Sequence, residues 1–377
     1  MGTNCGLKPT CVGANCPCTG TNCGQPQPCV GANCPCTGTN CGQKPCEGDD
    51  CPCEGDNCGQ KPDGIHIRFA TANVTSGDVE SYDPAASQNI LRALDADIVM
   101  LQEFKVFKQP YESFVSSVFG PDYEYFRGTL PEGSHLTLEN NSAKPNGIIS
   151  RYPFVRDADG NPLTGEWRAK YEKKKSSGEV YEVDASYDDR QWTWAVVDIP
   201  GDRDLLVVSV HLSTEYHAQE FNPLAKRIAE KQAEGNYYVV IGGDFNTKPS
   251  NKDGTRGRTS VLENESLMSV FYARDDEWPV DQNGNANTNL KRESPLDWLL
   301  FSHALEEFEI PTEIGDHDDE GAYEHGHVFD TRVYDKTGEL EAIQPEDNSY
   351  VVSGTDSGNA KMQHMAVIRD IEIPVAP

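Results

Sequence analysis

The chain has 377 residues and a net charge of −29, from 61 acidic and 32 basic side chains. That balance opposes tight, non-specific binding to a polyanion and favours solubility where salt screens the repulsion. No apolar run approaches the roughly 20 residues of a membrane-spanning helix, and all 13 cysteines fall between Cys5 and Cys58. The sequence therefore divides into a Cys-rich arm, 1–63, and a cysteine-free remainder, 64–377, long enough for one well-buried core.

Residues 3–62 are a repeat. The segment 11–24 recurs at 29–42 and, in acidic form, at 46–59, each with the frame Cys-x4-Cys-x-Cys-x4-Cys. Apart from cysteine the units are Gly, Pro, Thr and Asn, which cannot build a core, so cross-links must supply any order. The leading reading is a disulfide-stapled extracellular spacer. A soft-metal site at the Cys-x-Cys pairs and an adhesion or docking module are the alternatives. The odd cysteine leaves one thiol free or available to a second chain, so a cell-surface or intermolecular disulfide contact through the arm is expected. Met1 to Cys5 has neither the basic start nor the apolar stretch of an export signal. The cysteine density nonetheless suits a secreted or cell-surface protein, with Met1 and Gly2 standing in place of a removed signal.

Beyond the boundary at 61–64, residues 65–73 alternate like a first strand ending on Asn73. A helix is predicted over 87–94 and a second buried strand over 97–103, ending on Gln102 and Glu103. Residues 105–145 read as loop-rich and aromatic, and 145–153 as a strand between turn residues. The stretch 167–175 is basic (Arg168, Lys170, Lys173, Lys174, Lys175). Segments 191–199 and 205–211 look like a hairpin pair, the second ending on His211, and 222–234 like a helix. Tyr237 to Ile241 form a continuous apolar strand, after which Gly242 and Gly243 are expected to turn the backbone tightly. Asp244 and Asn246 follow, on one side if the chain stays extended, with an ordinary Asx turn as the bland reading. A polar loop at 250–260 carries Lys252, Arg256 and Arg258, just after Lys248. Residues 297–302 form another buried strand with Asp297 at its start, and a long acidic insertion, 304–355, precedes a last strand, 364–370, that begins with His364.

Strands outnumber the helices that separate them, which points to a layered α/β arrangement rather than an all-β sandwich. Six strands carry Asn73, Glu103, His211, Asp244 with Asn246, Asp297 and His364 at their ends. Caps drawn only from Asn, Glu, Asp and His are the set a hydrolytic phosphate site needs. Glu324 to His327 could also bind metal, with a solvated loop as the plainer reading for His325, His327 and Asp330.

The motifs Thr71-Ala-Asn73, Leu101-Gln-Glu103, Asn146 to Pro153, Ser209-Val-His211, Gly243-Asp-Phe-Asn246, Leu296 to Leu299 and Gln363-His364 occur in a distinctive order. Over roughly 65–373 the chain resembles the endonuclease/exonuclease/phosphatase superfamily, the fold of pancreatic deoxyribonuclease I. That resemblance implies a four-layer α/β sandwich, two mixed sheets packed face to face between helices, with the Cys-rich repeat outside it. It also implies roles. Glu103, and with it Asn73, would hold a divalent metal, magnesium or manganese, with calcium admissible. Asp244 would orient or deprotonate the attacking water, Asn246 would hydrogen-bond the phosphoryl group, His211 would face the same phosphate, and Asp297 would pair with His364. The chemistry is consistent: attack on an anionic diester needs a cation to withdraw charge, and hard oxygen ligands suit such a cation.

One departure stands out. Met362 and Gln363 occupy the place where the family usually has Ser-Asp before the last histidine. Either the site runs on one metal held mainly by Glu103, or a nearby carboxylate such as Asp356 takes over. Substrate is less constrained, because the superfamily cleaves DNA, RNA, sphingomyelin and inositol phosphates. The aromatic-cysteine signature of inositol polyphosphate phosphatases is not seen near Asp297, nor is a long apolar membrane-inserting hairpin. The basic segments Arg168–Lys175 and Lys248–Arg258 are the natural places for a phosphate backbone. The reading is an exported metal-dependent phosphodiesterase, a nuclease of low sequence specificity acting on DNA, with RNA admissible. A lipid or small-molecule phosphoesterase and a Cys-rich surface interaction protein are the alternatives.

Overall fold

The computed structural model describes residues 64–374 apart from 75–81, 83–84, 130–143, 169, 185–190, 215–216, 248–260, 274–277, 315–321, 335–339, 341–342, 345–350 and 360–361; at 170–174 and 180–184 it describes backbone alone. The Cys-rich arm and its repeat lie outside the described residues. His66–Glu372 forms a unit of its own, distinct from one made of Met1–Ile65 and Ile373–Pro377, and carries every side chain of the candidate site.

In chain order the strands are β1 (Gly64–Ala72), β2 (Ile98–Leu101), β3 (Glu124–Arg127), β4 (Gly147–Ser150), β5 (Thr164–Trp167), β6 (Lys170–Lys174), β7 (Val180–Asp184), β8 (Trp192–Val197) and β9 (Leu205–His211). They continue with β10 (Tyr238–Asp244), β11 (Phe271–Tyr272), β12 (Asp297–Ser302), β13 (Glu309–Ile310), β14 (Thr312–Glu313), β15 (Ala322–Tyr323), β16 (His327–Phe329) and β17 (Ala366–Pro374). The helices are α1 (Ala85–Ala93), α2 (Tyr111–Val118), α3 (His217–Gly235) and the single turn α4 (Glu265–Met268). One sheet runs β13-β17-β1-β2-β4-β3 with β16 also on β17, and the other β11-β12-β10-β9-β8-β5. Both are mixed: β1 pairs parallel with β2, and β10 parallel with β9 but antiparallel with β12. This is the expected α/β sandwich of two sheets between helices.

The layers follow from side-chain alternation. On β9, Leu206, Val208 and Val210 face out to Phe221, Leu224 and Ile228 of α3. Ser209, on the alternate face, reaches inward to the other sheet, where its hydroxyl donates to the Leu101 carbonyl at 3.1 Å. On the first sheet's outer side, Ala70, Val99, Leu101 and Ile149 pack with Ile90 and Leu91 of α1 and with Phe114 of α2. Between the sheets, the rings of Phe69 and Phe301 meet edge-to-face with centroids 5.4 Å apart. No helix among the described residues is long and apolar enough to cross a membrane.

Several expectations are corrected. Gly242 and Gly243 do not turn; both lie within β10. A Cβ at Gly242 would come 2.8 Å from Met100 Sδ and 3.0 Å from Thr71 Cβ on the facing sheet, and one at Gly243 only 1.9 Å from the Val210 carbonyl oxygen. The pair lets two sheets and a neighbouring strand close in around the site. Gly242→Ala should therefore overpack this seam and destabilise by about 1–3 kcal/mol, read as a lower urea midpoint at unchanged slope. The span 105–145 contains α2 and the edge strand β3, hidden because Tyr111–Val118 is poor in strong helix formers and is held by its buried face of Phe114, Val115 and Val118. Helix α3 starts five residues before position 222, with Pro223 inside it, since packing of Phe221 and Leu224 outweighs the proline's lost hydrogen bond. The acidic stretch 304–355 is not a mere insertion, because β13 and β16 within it extend the first sheet. The basic segment contains β6, which pairs with β7 as a separate ribbon.

Candidate active site

Strand register gathers the site. In the second sheet Asp244, at the end of β10, stands directly beside His211 on β9 and Asp297 on β12. In the first, Ala72 pairs with Leu101, so Asn73 and Glu103 follow the tips of two adjacent parallel strands. The buried Tyr82 ring supports those tips, its hydroxyl lying 2.9 Å from the Ala72 carbonyl oxygen and 2.6 Å from that of Gln102. Gln102 ties the sheets together, its amide donating to Ser209 Oγ at 3.1 Å. Asn146 does the same, donating to the Ser209 carbonyl at 3.3 Å and to that of Gln191.

All seven proposed catalytic and metal-site side chains converge, and all are buried. Asn73 Nδ2 donates to Asp244 Oδ2 at 3.2 Å, and the same oxygen lies 3.3 Å from His211 Nε2 and 3.7 Å from His364 Nε2. His211 Nδ1 is 4.0 Å from Glu103 Oε1. His364 Nδ1 is 2.8 Å from Asp297 Oδ2, which also accepts the Thr288 hydroxyl at 2.6 Å. Burial works against the imidazolium of His364, but Asp297, Asp244 and Glu103 push its pKa up to about 9. It is held as a proton donor at neutral pH, with Asp297 fixing which nitrogen faces the site.

Asp244 and Asn246 do not share one extended face. The strand stops at Asp244, Asn246 takes φ +52°, and its N–H donates to Asp244 Oδ1 at 2.9 Å. The Asx turn is real, and it is how the site is made: the turn swings the Asn246 amide onto the Leu212 carbonyl at 2.7 Å. Glu103 likewise sits in the left-handed region, at φ +54°, an unusual backbone for a residue with a long side chain and one common at functional sites.

Two contributors carried no sequence signal. Thr288 lies in an Asn-rich loop, and its hydroxyl both donates to Asp297 and accepts the Asp297 N–H at 2.9 Å. Lys144 brings its ammonium 3.5 Å from Glu103 Oε1. Of the expected phosphate-facing residues, Arg168 and Lys175 are exposed, the latter bridging to Glu179 at 2.9 Å. The side chains of Lys170, Lys173 and Lys174, and all of Lys248, Lys252, Arg256 and Arg258, lie outside the described residues. Gln363 is exposed while Met362 is buried, and Asp356 accepts the Ser353 N–H at 2.9 Å in a local turn.

His327 is not in a solvated loop. It is fully buried in β16 with Nε2 2.7 Å from the Tyr334 hydroxyl and Nδ1 3.0 Å from the Val280 carbonyl, and burial lowers its pKa to about 3. Asp330 is likewise buried and held by Arg292 and Arg332. His325 is partly buried and Glu324 exposed. Neither His327 nor Asp330 is available to a metal.

The oxygens a cation would need are present. Glu103 Oε2 and Asn73 Oδ1 are buried with no hydrogen-bond partner, an arrangement that costs free energy unless something occupies the place. Hard oxygen donors of this kind fit magnesium or manganese. Asp244, Asp297 and His364 also have ligand atoms within 4.8 Å of one another.

No curated protein sequence matches the chain. Similar solved structures include an endonuclease/exonuclease/phosphatase from Beutenbergia cavernae, at 15% identity and TM-score 0.47, covering 83% of this chain and 72% of that one. A family protein from Leptotrichia buccalis has 15% identity and TM-score 0.45, covering 81% and 100%. Another, from Bacteroides thetaiotaomicron, has 13% identity and TM-score 0.42, covering 83% and 99%. The model of the Endonuclease/Exonuclease/phosphatase family matches residues 70–318, which include every site residue but His364, and the fold itself returns that histidine to Asp297. The chain belongs to the endonuclease/exonuclease/phosphatase family.

Proposed function

We propose that the protein is an exported, divalent-metal-dependent phosphodiester hydrolase, and within that class a nuclease of low sequence specificity. The observation that carries the reading is the buried convergence on Asp244 of side chains from both sheets, with Glu103 Oε2 and Asn73 Oδ1 unpartnered beside it. Glu103 and Asn73 would hold the ion, which when bound withdraws charge from a phosphate oxygen. The remaining roles belong to the chain. Asp244, oriented by Asn73 and by the Asn246 N–H, is placed to accept a proton from the attacking water. Asn246 uses one amide hydrogen on Leu212 and has a second to offer a phosphoryl oxygen. The His364 imidazolium, braced by Asp297, can stabilise the developing charge or protonate the leaving oxygen. His211, between Glu103 and Asp244, faces the same phosphate.

Nucleic acid is favoured as substrate because an otherwise acidic protein keeps cations of the kind a phosphate backbone needs: Lys144 lies beside Glu103, Arg168 and Lys175 are exposed, and the sequence adds basic residues at 170–174 and 248–258. Export rests on the cysteine density of the arm, which could also make intermolecular or cell-surface contacts. The test is to assay plasmid DNA, RNA, sphingomyelin and bis(p-nitrophenyl) phosphate in parallel, with and without chelator. DNA should be cut fastest, chelator should abolish cutting, and magnesium or manganese should restore it. A preference for sphingomyelin or the small diester would overturn the nuclease assignment. Undiminished turnover under chelator would overturn the metal.

A further inference from the structure

Phe107 and Tyr125 are the two exposed rings among the described Phe, Tyr and Trp side chains, at 46% and 36% of full exposure. Both border a single half-buried ring, Tyr111. Tyr125 stacks on it, with centroids 6.4 Å apart and planes inclined by 21°. The Tyr111 hydroxyl donates to the Phe104 carbonyl at 3.2 Å and accepts the Val106 N–H at 3.3 Å, which brings the backbone at Phe107 alongside. The Arg127 guanidinium lies over the same ring, 4.6 Å from its centroid. Lys108, next to Phe107, is exposed.

This group belongs to the rim of the catalytic cluster. Arg127 pairs with Gly147 on β4, and Gly147 with Leu101 on β2. Arg127 therefore stands level with the strand tip that carries Glu103, two strand spacings or roughly 10 Å away. The Gly128 N–H donates to the Asn146 carbonyl at 2.8 Å, and Lys144, beside Glu103, precedes Asn146 by two residues. Exposed rings alone would suit any apolar partner. Rings beside a guanidinium and an ammonium, on a protein of net charge −29, suit one that is both aromatic and anionic. A nucleic acid strand with unpaired bases is both, whereas a duplex keeps its base faces stacked inside.

We propose that Phe107 and Tyr125 form a subsite for unpaired bases of a nucleic acid strand, with Tyr111 as their support and Arg127 and Lys108 on the flanking phosphates. This rests on the nuclease reading and adds to it a preference for unpaired strands over duplex. Every base has a face to stack on such rings, so the subsite brings no sequence specificity of its own.

The experiment uses the full chain at low salt in chelator, so that strands are bound without being cut, and reads fluorescence anisotropy. The probes are a labelled oligothymidylate, an abasic strand with the same number of phosphates, and a GC-rich duplex of the same length. The oligothymidylate should bind at least about tenfold tighter than either of the others, the worth of one or two stacked bases. Phe107→Ala and, separately, Tyr125→Ala should each weaken it about fivefold or more, while the abasic strand is held as before. Equal affinity for the oligothymidylate and the abasic strand overturns the proposal, as does the absence of saturable binding. So do alanine variants that keep the parent's affinity. Should Tyr125→Ala fail to fold, Phe107→Ala and the comparison of strands on the parent protein decide. Cutting of DNA by the magnesium-loaded parent keeps the nuclease reading whichever way these titrations fall. A protein that hydrolyses bis(p-nitrophenyl) phosphate but cuts no nucleic acid sinks that reading, and this one with it.

Discussion

His364→Gln should lower kcat/KM on a phosphodiester by about 10²–10⁴-fold, the usual worth of a positioned proton donor, and leave the folded state intact. The imidazole is pinned at both ends, Nδ1 to Asp297 at 2.8 Å and Nε2 facing Asp244 at 3.7 Å. Burial alone would strip its proton, but the surrounding carboxylates reverse that and hold its pKa at about 9. The protonated form thus prevails at neutral pH, and if it serves the proposed reaction, activity should fall as pH rises through about 9. The stability contribution follows the same sign: the folded value lies above the unfolded 6.5, so the contribution is complete below 6.5 and disappears as pH climbs through about 9. Asp297→Asn removes the nearest stabilising charge and should move the alkaline limb toward neutrality. A pH–rate profile on a small chromogenic diester measures both effects. An alkaline limb that stays put in Asp297→Asn would mean that His364 is not the group being titrated.

Arg292→Met should destabilise the fold by about 3–5 kcal/mol, the cost of stranding buried charges. The guanidinium lies 2.7 Å from Asp281 Oδ2, also bridges to Asp330, and donates to the carbonyls of Asn285 and Asn287. Asp330 would keep Arg332, whose Nη2 is 2.7 Å away, but Asp281, 2% exposed, would lose its ion-pair partner. Asp281 Oδ1 accepts the N–H groups of Asn283 and Asn285 at 2.8 and 2.9 Å, so the loop wraps the guanidinium as an Asn/Asp-rich loop wraps a cation. The same loop delivers Thr288 to Asp297. Equilibrium denaturation should therefore show the loss in stability, and the surviving folded protein should have a lower kcat through a displaced Thr288. A change below about 1 kcal/mol would mean that Asp281 finds another partner.

The strand tips were legible in the sequence because they obey local rules. An apolar run followed by Asn, Glu, Asp or His is visible at 65–73, 97–103, 205–211 and 237–244, and their order carries the family resemblance. What stayed hidden depends on contacts far along the chain. Gly242 is small because Met100 and Thr71 press on it from the other sheet, which no local pattern reports. Thr288 and Lys144 lie in polar stretches without periodicity and gain their role only when Asp297 and Glu103 arrive beside them. His327 looked solvated because its neighbours Glu324 and His325 are polar, yet β16 adds to the first sheet and carries it inside. The Asx turn at Asp244 and the catalytic reading were set against each other as alternatives. The turn is formed, with the Asn246 N–H on Asp244 Oδ1, and both side chains lie in the buried cluster.

Each sheet by itself holds half a site: Asn73 and Glu103 on one, His211, Asp244 and Asp297 on the other. The bond from Asn73 to Asp244 spans 171 residues of chain, and that from Arg68 to Asp370 spans 302. Contacts so distant in sequence form late and slowly. A compact state with native secondary structure but unpacked sheets would bring none of these groups within reach of one phosphate. During refolding, circular dichroism should recover before turnover does, and the return of activity would time the closing of the sandwich itself.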